Sequence, residues 1–465
     1  MMEYDNLNDE LLSVIDTSLK YAKSLDSSAE FEVFIYYESS SEAEIDQGVV
    51  TAKDGVVTGN AVRAAKGQRV GFACASGIDL DRVKLSAREA LSIIDTISVE
   101  DERFKSFCEP RKPGREGVFA KEILDLGTDD LIEYSLQMVE EAQETDPKVK
   151  MVNCGCSASW GGIALSNTLG IQAASRTGMN SCYAYVLAMD GEERKSSYDF
   201  DISRERLFET TGLGERAAKE AVRLLGAKKI DTTAKMPTIW TPKASAPYVQ
   251  ASIGQSVMGQ PVVEGVSPLC DMLGDRVASS GLTIVDDGQN PKGLGTHAID
   301  GEGHPQQRNV IVEKGVLKSF LFDSYFGRAF NVESTGNCSR GGGPRGGPTP
   351  YESSPSVSTK WLEIEQGKKS IDDLVAEVDG KGVMIMDTPL GISHSNVSTG
   401  EFSVVANSVL LIENGEIKGS LEPVSIAGQF YEGFKNLLYI GSDVTLTPHG
   451  AQAPSLLFND FSVTG

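Results

Sequence analysis

Residues 251–265 read A-S-I-G-Q-S-V-M-G-Q-P-V-V-E-G. The stretch follows a short apolar strand candidate, Pro237 to Trp240, and a helix start at Thr241-Pro242, where threonine suits the cap and proline the first turn. A helix here that carried zinc chemistry would need His, Cys, Asp or Glu. The polar side chains present are Gln255, Ser256 and Gln260, and an amide neither ionises nor makes a strong zinc ligand. Gln255 and Gln260 stand five apart, about 140° around a regular helix, so one ligand meets both only if the helix bulges or ends between them. Gly259 permits that. Read as packing alone, Ile253, Val257, Val262 and Val263 are core and the glutamines are ordinary polar positions; the residues by themselves leave both readings open.

Working outward, 465 residues exceed one ordinary core, and 40% hydrophobic with 23% charged residues is a globular composition. The net charge of -23 is spread over both halves and repels phosphate backbones and anionic lipid, which argues against direct nucleic-acid or membrane binding. Seven cysteines without a Cys-x-x-Cys pair predict reduced thiols. The N-terminus shows neither a basic n-region nor an apolar h-region, and no apolar run is long enough to span a bilayer; a cytoplasmic location is expected.

Residues 8–25 have the spacing of an amphipathic helix with Asn8 as its cap. Strands are expected at Phe31–Tyr37, Ala43–Thr51, Val56–Ala65 and Gln68–Ala75, turning at Lys53-Asp54-Gly55 and Lys66-Gly67, with a second helix from about Asp79. After a crossing loop, Val99–Gly127, the order returns: a helix capped by Thr128, strands at Lys148–Cys156, Gly161–Asn167, Gly170–Thr177, Ser181–Ala188 and Lys195–Ile202, and a helix from Ser203 to Leu225 closed by Gly226. Beyond Met236 short strands dominate, with hairpins at Lys314-Gly315 and Asn414-Gly415 and one helix at Ser370–Val378. The expected class is α+β. Residues 1–235 form antiparallel sheets covered on one face by helices, as helix-meander-helix units 1–98 and 128–226, and 236–465 form a β-rich sheet assembly or distorted barrel.

One series of motifs is specific in its order: V-D-D-G (285–288), G-E-G-H-P-Q-Q-R-N-V-I-V-E-K-G-V-L-K (301–318), S-T-G-N (334–337), S-T-G-E-F-S (398–403) and V-S-I-A-G (424–428). Together with E-I-D-Q-G-V-V-T and G-Q-R-V-G-F-A-C-A earlier in the chain, it resembles the TldD/PmbA family over nearly the entire length. TldD members are zinc peptidases with an H-E-x-x-x-H motif followed closely by Glu-Gly. On that motif Gln255 replaces the first His, Ser256 the general-base Glu and Gln260 the second His, while Glu264-Gly265 is kept. The TldD cysteine ligand near the C-terminus is also missing, and T-P-H-G-A-Q-A-P offers only His449.

The resemblance therefore implies the PmbA (TldE) branch: a non-catalytic subunit that binds no cofactor itself and pairs with a TldD-type protease subunit holding the zinc. The complex would be a cytoplasmic protease of unfolded or small peptides, in a family linked with microcin processing and modulation of DNA gyrase, and the isolated chain is expected to homodimerise. Alternatives are a stand-alone homo-oligomeric hydrolase with another site, or a peptide-binding scaffold. The four histidines, His297, His304, His394 and His449, include no helical zinc pair. Gly336–Pro350 reads as an irregular loop beside a cleft, without the P-loop pattern, so Arg340 and Arg345 join Glu264 and His449 as substrate-cleft candidates. No G-x-S-x-G elbow is present.

Overall fold

The computed structural model describes residues 2–96, 98–230, 233–341, 348–448 and 450–465. Arg345 and His449 lie outside them. In chain order the N-terminal elements are α1 (Leu7–Leu25), β1 (Glu30–Asp46), β2 (Val49–Lys66), β3 (Arg69–Ser76), α2 (Leu80–Thr96), α3 (Thr128–Thr145), β4 (Val149–Asn167), β5 (Gln172–Asp190), β6 (Glu193–Ser203) and α4 (Leu213–Arg223). β1 is their axis: it pairs antiparallel with β2 along one edge and with β4 along the other. The two helix-meander-helix units therefore merge into one six-stranded sheet, ordered β3-β2-β1-β4-β5-β6.

Alternation fixes what each face meets. Phe31, Val33 and Ile35 of β1 pack with α1 and α2, and Ala43 packs with α3 and α4. The other parity, Glu32 and Phe34, turns toward Arg340 and Ile299 of the C-terminal half. Helices thus cover one face, and C-terminal residues cover one end of the other.

Several expectations are corrected. Lys53-Asp54-Gly55 is not a turn, because the β1–β2 ladder runs through it and the chain reverses at Gln47-Gly48, both with positive φ. β4 is one strand through Gly161, where a Cβ would lie 2.1 Å from the Tyr37 carbonyl oxygen; the glycine allows close approach and makes no break. β5 likewise runs unbroken past Gly178. The helix expected from Ser203 begins only at Leu213; Asn180 ties down the preceding irregular segment through the Ser203 and Arg206 carbonyls and the Phe208 amide. Asn8 is not a cap: Asn6 precedes α1, and Asn8 donates to Glu116 Oε1 at 2.9 Å. Gly127, not Thr128, occupies the cap of α3, where its amide donates to Asp130.

The C-terminal half continues with β7 (Thr233–Trp240), α5 (Pro242–Val249), α6 (Gly259–Val263), β8 (Ile284–Asp287), β9 (Arg308–Glu313), β10 (Val316–Leu317), α7 (Ser324–Ala329), β11 (Cys338–Ser339), β12 (Ser356–Val357) and β13 (Leu362–Ile364). It closes with α8 (Ile371–Ala376), β14 (Lys381–Ile385), β15 (Glu401–Ala406), β16 (Val409–Glu413), β17 (Glu416–Leu421), β18 (Val424–Gln429), α9 (Phe430–Lys435), β19 (Leu437–Val444), β20 (Ala451–Gln452) and β21 (Pro454–Thr464). Seven strands follow the order β15-β18-β21-β7-β14-β16-β17, β19 joins on β21, and a five-stranded sheet runs β10-β9-β8-β13-β20. This is the β-rich assembly expected. The hairpins at Lys314-Gly315 and Asn414-Gly415 have positive φ at both residues, as their turn type requires. Ser370 caps α8 by accepting from the Asp373 amide. Trp240 and Tyr248 centre the core with Phe402, Phe458 and Phe461. Among the described residues no helix is long and apolar enough to cross a membrane.

Candidate functional site

α5 starts at Thr241-Pro242, although the Thr241 hydroxyl donates to the Met386 carbonyl at 2.9 Å and does not cap the helix. The helix widens to π geometry over Gln250–Gly254, regains α geometry at Gln255 and Ser256, and stops; α6 begins afresh at Gly259. The helix therefore ends between Gln255 and Gln260, its bulge lying just before Gln255, and both side chains are exposed.

Ser256 points the other way. It is fully buried, its hydroxyl donates to the Ser252 carbonyl at 2.8 Å, and Tyr431 Oη lies 2.5 Å away. Gln260 donates to Glu264 Oε1 at 3.2 Å. Two surface amides and a core hydroxyl do not suit zinc, which takes thiolate, imidazole or carboxylate. Among the described residues no group of three or more His, Cys, Asp and Glu is placed to hold a metal ion.

The remaining candidates separate. Glu264 is exposed at the end of α6. Arg340 is 5% exposed, so it does not line an open cleft; it pairs with Glu32 while its Nε donates to the Gly301 carbonyl at 2.6 Å. Arg63 completes a buried triad, donating to both Glu32 oxygens at 2.8 Å.

Next to this triad three of the ordered motifs meet, while the other two pair with each other as β15 and β18 of the larger sheet. Asp286 of V-D-D-G accepts from the Lys360 and Trp361 amides at 2.8 and 2.9 Å and from Asn337 of S-T-G-N at 2.6 Å. Glu302 of G-E-G-H accepts from the Ser324 amide and hydroxyl at 2.7 and 2.5 Å and from Ser334 at 3.2 Å. Asp300 accepts from the amides of Glu302, His304 and Cys338, each at 3.0 Å. Burial, then the nearby Glu302, pushes the Asp300 carboxyl well up, and burial raises Asp323 to about 6. These three motifs are legible in the sequence; their convergence into one closed polar core is not.

The open space lies elsewhere, on the sheet face away from the helices. A cleft of about 690 Å³ is lined by Met151, Tyr183, Tyr185, Tyr198, Phe200 and Pro448, with Asp46 and Asn153 among its polar lining. Ala451 pairs with Leu362, and a Cβ at Gly254 would meet Leu362 Cδ2 at 3.3 Å. The signal for the cleft is the aromatic alternation on β5 and β6, which carries no known motif.

Comparison with known proteins accords with this architecture. Models of the PmbA/TldA metallopeptidase domain 1, central domain and C-terminal domain match residues 31–94, 121–225 and 233–465. An uncharacterized protein of Methanocaldococcus jannaschii is 29% identical over 412 residues, 88% of this chain and 91% of that one. The metalloprotease TldD homolog of Buchnera aphidicola (subsp. Acyrthosiphon pisum) is 25% identical over 439 residues, 88% of this chain and 86% of that one. The crystal structure of TldE from Thermococcus kodakarensis has the same fold, with a TM-score of 0.88 at 24% identity, over 97% of this chain and 100% of that one. With domain matches spanning both halves, the chain belongs to the PmbA/TldD metallopeptidase family.

Proposed function

We propose that this chain is the non-catalytic, PmbA/TldE-type subunit of a cytoplasmic TldD/TldE zinc metalloprotease complex acting on unfolded or small peptides. The carrying observation is the break at 255–260: the positions that would hold and serve a zinc ion present Gln255 and Gln260 to solvent and turn Ser256 into the core. In this reading a TldD-type partner holds the zinc, and this chain contributes binding surface. The family's links to microcin processing and gyrase modulation then follow from which peptides the complex degrades. Mixing the purified chain with the TldD-type protein of the same organism, followed by size-exclusion chromatography and digestion of an unfolded peptide, tests it. Co-elution with peptidase activity in the mixed peak is expected; separate elution with no change in the partner's activity overturns it.

A further inference from the structure

The cleft on the open sheet face carries more than its shape. Register places its residues in rows across the strands: Asp46, Asn153, Tyr185 and Tyr198 form one, and Glu44, Gly155, Tyr183 and Phe200 the next. Gly155 has no side chain, and a Cβ there would lie 2.7 Å from Tyr183 Cε1, so the Tyr183 ring lies across it. The Tyr198 and Phe200 rings stack at 6.0 Å between centroids. One end of each row is therefore an aromatic floor and the other a carboxylate.

The polar atoms at that end are acceptors short of donors. Glu44 Oε1 takes hydrogen bonds from Asn153 Nδ2 at 3.0 Å and Tyr183 Oη at 3.2 Å. Asn153 Oδ1 is buried without a partner, and none of the ion pairs among the described residues involves Asp46 or Glu44, both exposed. The neighbouring cations are already engaged: Lys243 with Asp199 at 2.9 Å, and Arg206 with Asp201 at 2.6 Å. An aromatic floor accepts a large apolar side chain, and unpaired carboxylates beside it accept a cation. In an extended peptide, side chains two residues apart point the same way about 7 Å apart, while Asp46 and Tyr185 stand two strands apart, about 10 Å; a long Lys or Arg side chain spans the difference.

We infer that this cleft binds extended peptide carrying an aromatic or large aliphatic residue with Lys or Arg two positions away. The inference rests on the peptide-protease reading above and names the sequence class this subunit selects.

The probe is acetyl-Gly-Phe-Gly-Arg-Gly-amide, titrated calorimetrically into the purified full-length chain, beside the same peptide with Glu for Arg and with Ala for Phe. Saturable binding of the Phe/Arg peptide is expected, weaker by on the order of fivefold or more for Glu and tenfold or more for Ala. Asp46→Asn, at an exposed strand end and with Glu44 left in place, is expected to reduce the preference for Arg over Glu, and Tyr183→Ala to lower affinity about tenfold; circular dichroism reports whether each variant is folded. Equal affinity for the Arg and Glu peptides, or no saturable binding of the Phe/Arg peptide, overturns the assignment. Digestion by the mixed subunits is read separately: a digesting mixture with no binding at this cleft removes only the cleft assignment, and binding with an inert mixture removes only the complex.

Discussion

Glu32→Ala tests the joint between the two halves. Glu32 has a fully buried carboxylate that faces Arg340 and Arg63, whose side chains are 2% and 14% exposed. The Arg340 guanidinium also lies over the Phe34 ring at 4.6 Å, and that of Arg63 over Phe107 at 4.8 Å, so neither can swing to water without undoing packing. Removing the carboxylate leaves two covered cations without their counter-ion, which costs about 3–5 kcal/mol. For an unfolding unit of about 150–250 residues, each kcal/mol moves the melting midpoint by about 2–4 °C, so the expected fall is roughly 6–20 °C. Differential scanning calorimetry of the full chain reads it. Glu32→Met with Arg63→Leu and Arg340→Met should recover most of the loss, because an apolar triad has no charge to desolvate. A Glu32→Ala midpoint within about 1 °C of the parent, or a triple variant melting as low as Glu32→Ala, refutes the reasoning.

Ser256→Glu forces a carboxylate into the space between Ser252 and Tyr431, so a variant rebuilding the zinc motif with Gln255→His and Gln260→His should lose about 3 kcal/mol or more in urea unfolding, while Ser256→Ala or Tyr431→Phe loses about 1 kcal/mol. Burial, then the Arg204 and Lys360 cations, lowers His297 from 6.5 to about 3. Its folded form therefore binds fewer protons than the unfolded chain, and stability present above 6.5 is lost as pH falls toward 3, by at most about 1.4 kcal/mol per pH unit. His297→Gln should flatten that part of the stability profile. Asp323, raised from 3.8 to about 6, has the opposite sign: its contribution is full below 3.8 and is lost as pH rises through 6. Asp323→Asn, which can still cap α7, should gain on the parent between pH 4 and 7; a constant difference across that range contradicts the burial of this carboxyl.

What the sequence could show depended on whether a signal was local. Lys314-Gly315, Asn414-Gly415 and the Ser370 cap are local chemistry, and each appears where expected. Lys53-Asp54-Gly55 is an equally local turn signal and misleads, because pairing of β1 with both β2 and β4 over nearly its whole length overrides it. Gly161 and Gly178 suggest breaks in the sequence, yet each serves close approach, of the Tyr37 carbonyl and the Phe119 ring, that only the assembled sheet creates. At the site, the three residues on which the zinc reading turns, Gln255, Ser256 and Gln260, are legible as letters. That Ser256 turns inward, that Arg340 is locked to a carboxylate 308 positions away, and that Tyr183 and Phe200 face a cleft all depend on distant pairings.

The most direct measurement of the central claim is elemental analysis of the purified chain for zinc, with peptidase activity assayed on the same sample before any partner is added. A non-catalytic subunit should carry no stoichiometric zinc and cleave no peptide of its own. One equivalent of zinc together with cleavage by this chain alone would contradict that role.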